Sequence, residues 1–127
     1  MFRLLGKIDI TLFEKEFGKI KSDEIIITDE RARHIKNRHP EDYALFEQYS
    51  SEIVAAPDYI LKDLKNEGTV FMIKKLPETS LNMLVRLVLE TDEDGLKNSV
   101  MTFYRLRESN LKKMIDKNIL VYKKTES

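Results

Sequence analysis

No cysteine occurs anywhere in the 127 residues. Disulfides, zinc ribbons and thiol nucleophiles are thereby excluded, and the composition suits a reducing compartment. No apolar run approaches the roughly 20 residues that a membrane-spanning helix needs. The apolar start, Met1-Phe2-Arg3-Leu4-Leu5-Gly6-Lys7, is too short for a signal peptide, so a cytoplasmic protein with no membrane partner is expected. A charge excess is missing too: 22 basic and 22 acidic residues cancel. A strong sequence-independent nucleic-acid binder carries a basic surplus, so binding of that kind requires charge segregated over the surface. The sequence permits it. Acidic residues gather at Glu90-Thr91-Asp92-Glu93-Asp94, and basic ones at Arg31 to His39, at Lys74-Lys75 and at Arg105-Leu106-Arg107. Repeats and low-complexity tracts are absent.

What is present describes one soluble globular domain over 1–127, with 42% hydrophobic and 35% charged residues. Phe2 to Ile8 reads as a short strand, and Leu12 to Phe17 as a helical turn closed by Gly18. The β-branched run Ile25-Ile26-Ile27 predicts a strand. Thr28 then suits a helix N-cap, followed by Asp29 and Glu30 in the first turn. That helix should stop near Asn37 or Arg38, because Pro40 disfavours helical geometry at the residue before it and itself suits the first position of a second helix. Tyr43, Ala44, Phe46, Tyr49, Ile53 and Val54 carry the second helix to the stop at Ala56-Pro57-Asp58.

Beyond Pro57 the period changes to two. Tyr59 to Leu61, Thr69 to Lys75, Leu81 to Glu90 and Asn98 to Arg105 predict strands, with turns at Asn66-Glu67-Gly68 and Asp92 to Gly95. Ser109 should cap a last helix through about Asp116, and Ile119 to Tyr122 should form a terminal strand. Helices first and an antiparallel meander after them predict an α+β fold.

The chain has only two histidines, His34 and His39, and both fall in Thr28 to Pro40. Histidine is the side chain best suited to proton transfer near neutral pH. His34 and Arg38 are four residues apart and share a helix face. They read either as a general acid or base with a phosphate-facing cation, or as solvated surface groups. His39 lies in line with Ala32 and Ile35, where capping the second helix or filling the helix corner competes with catalysis. A metal site is not expected, since the five-residue spacing of the histidines does not aim both rings at one ion. Leu81, Met83, Val85, Leu87 and Leu89 form the core side of their strand, which leaves Arg86 on the less apolar side. Val100, Thr102 and Tyr104 alternate with Met101, Phe103 and Arg105. Thr102 and Tyr104 with Arg86 and a lysine, Lys74 or Lys75, would make a polar patch on an open sheet face; equally, Thr and Tyr are ordinary strand residues. Together these groups suit RNA cleavage by the sugar 2′-hydroxyl, with histidine moving protons, Arg or Lys stabilising the phosphorane, and no cofactor.

The stretch Ile26 to Pro40, with Ile53-Val54-Ala55-Ala56-Pro57-Asp58-Tyr59-Ile60 and Ser99-Val100-Met101-Thr102-Phe103-Tyr104, resembles phage- and mobile-element-associated nuclease domains of the barnase–EndoU–colicin–RelE-like group. The resemblance covers about Ile25 to Tyr104. It implies N-terminal helices packed on a four-stranded or slightly larger antiparallel sheet, with residues 1–24 as an extension of a core over 25–122. It implies a metal-independent ribonuclease, often a toxin, with its site on the sheet face. It favours His34, Arg38 or His39, and Thr102 as catalytic residues. Lys74, Arg86, Tyr104 and Arg105 are substrate-binding candidates by position. The expected partners are RNA, such as tRNA or ribosomal RNA, and an antitoxin or immunity protein. The rival reading is a non-catalytic nucleic-acid- or protein-binding module of a mobile element, or a structural part of one.

Overall fold

Local chemistry at two residues sets the helical part of the chain. Thr28 has extended geometry and its hydroxyl accepts from the Arg31 amide at 3.2 Å, which satisfies one of the free N–H groups of a helix start. Pro40 stands at the first position of the next helix. The computed structural model describes residues 1–125. Its elements are β1 (Phe2–Lys7), α1 (Thr11–Phe17), β2 (Glu24–Thr28), α2 (Asp29–Arg38), α3 (Pro40–Ala55), β3 (Tyr59–Lys62), β4 (Thr69–Lys75), β5 (Ser80–Arg86), β6 (Asn98–Leu106), α4 (Glu108–Lys117) and β7 (Ile119–Lys123).

The fold is α+β, and the sheet is larger than expected. Seven strands lie in the order β1-β2-β6-β5-β4-β3-β7. β3 to β6 form the expected antiparallel meander. β1 extends the sheet beyond β2, and β7 extends it beyond β3. The sheet is also not wholly antiparallel, because β2 runs parallel to β6 over Ile25↔Asn98 and Ile26↔Ser99. Asn98 fastens this junction. It is fully buried, its amide nitrogen donates to the carbonyls of Ser22 and Glu24, and its amide oxygen accepts from the Val88 amide at 2.8 Å. A buried amide with all its groups engaged avoids the cost of unpaired polar atoms.

Each face of the sheet has its own apolar layer. On one, Phe13 of α1, Ile35 of α2 and Phe46 and Ile53 of α3 pack against Ile25, Met72, Met83, Val85, Val100 and Phe103. On the other, Leu111 of α4 packs with Leu61, Phe71, Ile73 and Leu106. The expectation of an open sheet face is therefore corrected: α4 covers part of it. The unbroken run Val70-Phe71-Met72-Ile73, buried throughout, reports this two-sided burial.

Three local readings also change. A bulge between Leu84 and Val85 sets Thr102 opposite Leu84 and Val100 opposite Val85. The extra residue, Met101, turns Val100 to the side of Phe103 instead of Thr102. β5 stops at Arg86 rather than Glu90, because the next amides leave the ladder: Leu87 donates to the Gly68 carbonyl at 2.7 Å and Leu89 to the Asp92 carboxylate at 2.7 Å. Gly68 turns with φ +75°, and the Arg86 guanidinium lies where a Cβ would stand. Finally, α4 is preceded by Arg107, not capped by Ser109, because Leu106 is buried at the end of β6 and the chain turns directly after it.

Candidate functional site

The corner between α2 and α3 is built on the backbone of His39. Its amide donates to the Ile35 carbonyl at 2.8 Å and closes α2. Its carbonyl accepts from the amides of Asp42 and Tyr43 at 2.9 and 3.1 Å and opens α3. The side chain makes no capping hydrogen bond. The imidazole is half-buried and its ring centre lies 6.2 Å from that of Tyr104. The capping role weighed for His39 is thus carried by main-chain groups, and the ring faces β6.

β6 supplies the opposite wall. Tyr104 stands across from Asn82 of β5, and its hydroxyl oxygen accepts from the fully buried Asn82 amide nitrogen at 3.1 Å. The Asn82 oxygen has no partner among the described residues. The Tyr104 oxygen is held as an acceptor, so its own proton is left to donate elsewhere. Arg105 points to the other face and meets the first turn of α3. Its Nε donates to Asp42 at 2.5 Å and its Nη2 to Glu41 at 3.0 Å. The hydrogen bond to Asp42, with the charges of both carboxylates, holds the Arg105 guanidinium above its ordinary pKa.

His39, Asp42, Tyr104, Arg105 and Arg107, with Thr79 and Leu106, line a cleft of about 480 Å³. Arg105 enters it already neutralised. Arg107 is exposed and has no ion-pair partner among the described residues. The cleft therefore combines an imidazole, a phenol with a polarised oxygen and a cation available to an anion.

The remaining candidates divide. Thr102 is half-exposed on the Tyr104 side of β6 and does not face the main core. His34 and Arg38 both lie on α2, half-buried and exposed respectively, and among the described residues neither side chain has a hydrogen-bond or ion-pair partner. Lys74 is corrected: its neighbour Ile73 belongs to the α4 side, so Lys74 points to the α3 side, mostly buried, with its Nζ 3.5 Å from Glu52. Arg86 keeps to the less apolar side of β5, with Asn82 and Leu84, but is already engaged. It donates to the Leu87 carbonyl and pairs with Asp92 at 3.3 Å. It also sits at the far end of β5 from Ser80, six residue steps or about 20 Å away. Of the proposed polar patch, Lys74 is on the other side of the sheet, Arg86 is engaged with Asp92, and Lys75 lies 3.9 Å from Glu108.

Asp42 and Arg107 line the candidate cleft, and Asn82 supports its Tyr104 wall, without having been singled out. Arg107 carried a signal in its basic cluster, and Asn82 in being the one amide among the apolar residues of its strand. Asp42 looked like any acidic residue in a first helical turn. Among the described residues no three His, Cys, Asp or Glu side chains gather as a metal site, and no helix is long and apolar enough to cross a membrane. A family model described as PBECR2, phage-Barnase-EndoU-ColicinE5/D-RelE like nuclease2, matches residues 2–123. No curated protein and no solved structure matches the chain.

Proposed function

The chain belongs to the PBECR2 family of phage-Barnase-EndoU-ColicinE5/D-RelE like nucleases, and from this premise we propose that it is a metal-independent endoribonuclease whose scissile phosphate sits between His39 and Tyr104. The observation that carries the reading is the uncapped His39 ring, 6.2 Å from the Tyr104 ring across a cleft that Arg107 also lines. RNA brings its own nucleophile, so the protein needs only a base, an acid and positive charge around phosphorus. His39 takes the proton of the 2′-hydroxyl as the 2′-oxygen bonds to phosphorus. The bond from phosphorus to the 5′-oxygen breaks, and the Tyr104 hydroxyl gives that oxygen its proton. The Asn82 amide, donating to the Tyr104 oxygen, stabilises the phenolate that results. Arg107, the unpaired cation of the cleft among the described residues, stabilises the charge on the phosphorane. Products are a 2′,3′-cyclic phosphate and a 5′-hydroxyl.

The donor set supports this over a metal-assisted route. The cleft has one carboxylate, Asp42, and its two oxygens accept from the Arg105 Nε and amide. Thr102, two residues from Tyr104 or about 7 Å along β6, is assigned to the neighbouring phosphate, with His34 and Arg38 flanking the strand on α2. The family name supports a wider setting: a toxin module of a phage or mobile element, acting on tRNA or ribosomal RNA in the cytoplasm and held in check by a protein antitoxin. The neutralised state of Arg105 favours the competing reading of a binding module without catalysis. Incubating the purified protein with total RNA in excess EDTA separates the two. Cleavage that persists in EDTA is expected. RNA left intact across salt and pH, or cut only when a divalent cation is restored, would defeat the proposal.

A further inference from the structure

A second groove lies on the same face as Tyr104, between α4 and the loop joining β3 to β4, with a volume of about 570 Å³. Its apolar floor is Phe71, Leu84 and Met114. Asn110, Lys113 and Lys117 overhang it, at the three- and four-residue spacing that puts them on one stripe of α4. Asn118 fastens the far wall, since its oxygen accepts from the Leu64 amide at 3.2 Å and its nitrogen donates to the Met114 carbonyl at 3.0 Å. The one carboxylate in the lining, Asp63, is engaged by the loop, where it accepts from the Lys65 backbone amide at 2.8 Å and the Asn66 side-chain Nδ2 at 2.9 Å. The rim is therefore cationic over an apolar floor. Among the described residues the Asn110 side chain has no hydrogen-bond partner, so it is free for an incoming polar edge.

The groove and the cleft share no lining residue, and adjacent rows of the sheet lead from one to the other. Phe71, Leu84 and Thr102 stand opposite one another on β4, β5 and β6, one row along from Ile73, Asn82 and Tyr104. Two strand spacings, about 10 Å, separate Phe71 from Thr102. Apolar floor, cationic rim and an unengaged amide are the three elements that hold one unstacked base with its phosphate.

We propose that this groove is a second nucleotide subsite, taking an unpaired base of the same RNA strand whose scissile bond lies in the His39–Tyr104 cleft; it rests on the ribonuclease reading. The floor offers no polar atoms, so the subsite grips single strands with little base preference. The probe is a 2′-O-methyl oligoribonucleotide of about ten nucleotides, which lacks the nucleophile and stays intact. Titrating it into the protein should shift the NMR signals of Asn110, Lys113 and Lys117. Reversing charge in K113E/K117E should weaken binding about ten-fold at moderate salt. The same reversal at Lys15 of α1 and Lys19 just after it, in K15E/K19E, should cost far less, since α1 packs on the opposite face. No binding, no shift at the groove, or equal losses in the two variants would overturn the subsite, leaving the groove to a protein partner or to none. Total-RNA cleavage is the separate readout of the reaction. RNA cut while the groove signals stay still removes the subsite and keeps the ribonuclease. RNA left intact while the groove signals move removes the ribonuclease, and with it the cleavage subsite, leaving a groove that binds single strands without cutting them.

Discussion

Replacing His39 with alanine lowers RNA cleavage by about 10²–10⁴-fold, the range supplied by one positioned acid or base, and leaves the fold standing. The second half follows from the corner. Both capping duties of His39 fall to its backbone, which alanine retains, and the imidazole spans no core contact that the strands require. The first half follows from the position of the ring. Its centre stands 6.2 Å from that of Tyr104, so both rings line one cleft, where the proposed phosphate would meet their polar edges. His34→Ala gives a smaller loss on the same account, because its placement on α2 is a flank and not the cleft itself. Measured kcat/KM for both variants, beside their urea midpoints, decides the matter. A neutral H39A with an inactive, folded H34A would move the base from the helix corner to the face of α2.

Phe46→Ala costs about 3–5 kcal/mol of stability, the range for emptying the site of a fully buried ring. Phe46 and Phe103 are both fully buried and meet edge to face with ring centres 5.3 Å apart. Such a pair adds to the burial of two large apolar surfaces. The contact is also where α3 is pinned to β6. The first turn of α3 holds Asp42 against Arg105, and β6 presents Tyr104 and Arg105, so this ring pair sets the spacing of the cleft walls. Urea denaturation should show the loss as a lower midpoint at nearly constant slope. A change below about 1 kcal/mol would mean that α3 docks by other contacts and that the cleft is held from elsewhere.

The helical half of the fold was legible because its signals are local. The Thr28 hydroxyl, the Pro40 ring and the stop at Ala56-Pro57 each act on neighbours a few residues away. The meander was legible for the same reason, through hairpin turns and period-two patterning. What the sequence did not disclose depends on partners far along the chain. The parallel pairing of β2 with β6 joins residues more than seventy positions apart. The bulge at Met101 cannot be seen from alternation alone, yet it decides that Val100 leaves the face of Thr102. Lys74 looked available because its pairing with Glu52 is a meeting of β4 with α3.

The site was half legible on the same grounds. The segment from Arg31 to His39 stood out in the sequence, with the weight on His34 and Arg38, which share a face of one straight helix. His39 lies just outside that helix, with φ −134° and ψ 61°, so a helical wheel does not describe where its ring goes. The charge puzzle also has a spatial answer. A neutral chain still has Arg107 beside the cleft, without an ion-pair partner among the described residues, and Lys113 with Lys117 over the groove on the Tyr104 face.

The most direct test of the central claim is the chemistry of the cut ends. A defined RNA incubated with the wild-type protein in EDTA and analysed by mass spectrometry should yield a 2′,3′-cyclic phosphate on one fragment and a 5′-hydroxyl on the other. A 2′-deoxy substitution at the cut site should abolish cleavage there. Fragments ending in a 3′-hydroxyl and a 5′-phosphate, or cleavage indifferent to the 2′-deoxy substitution, would contradict attack by the 2′-hydroxyl and with it the roles given to His39 and Tyr104.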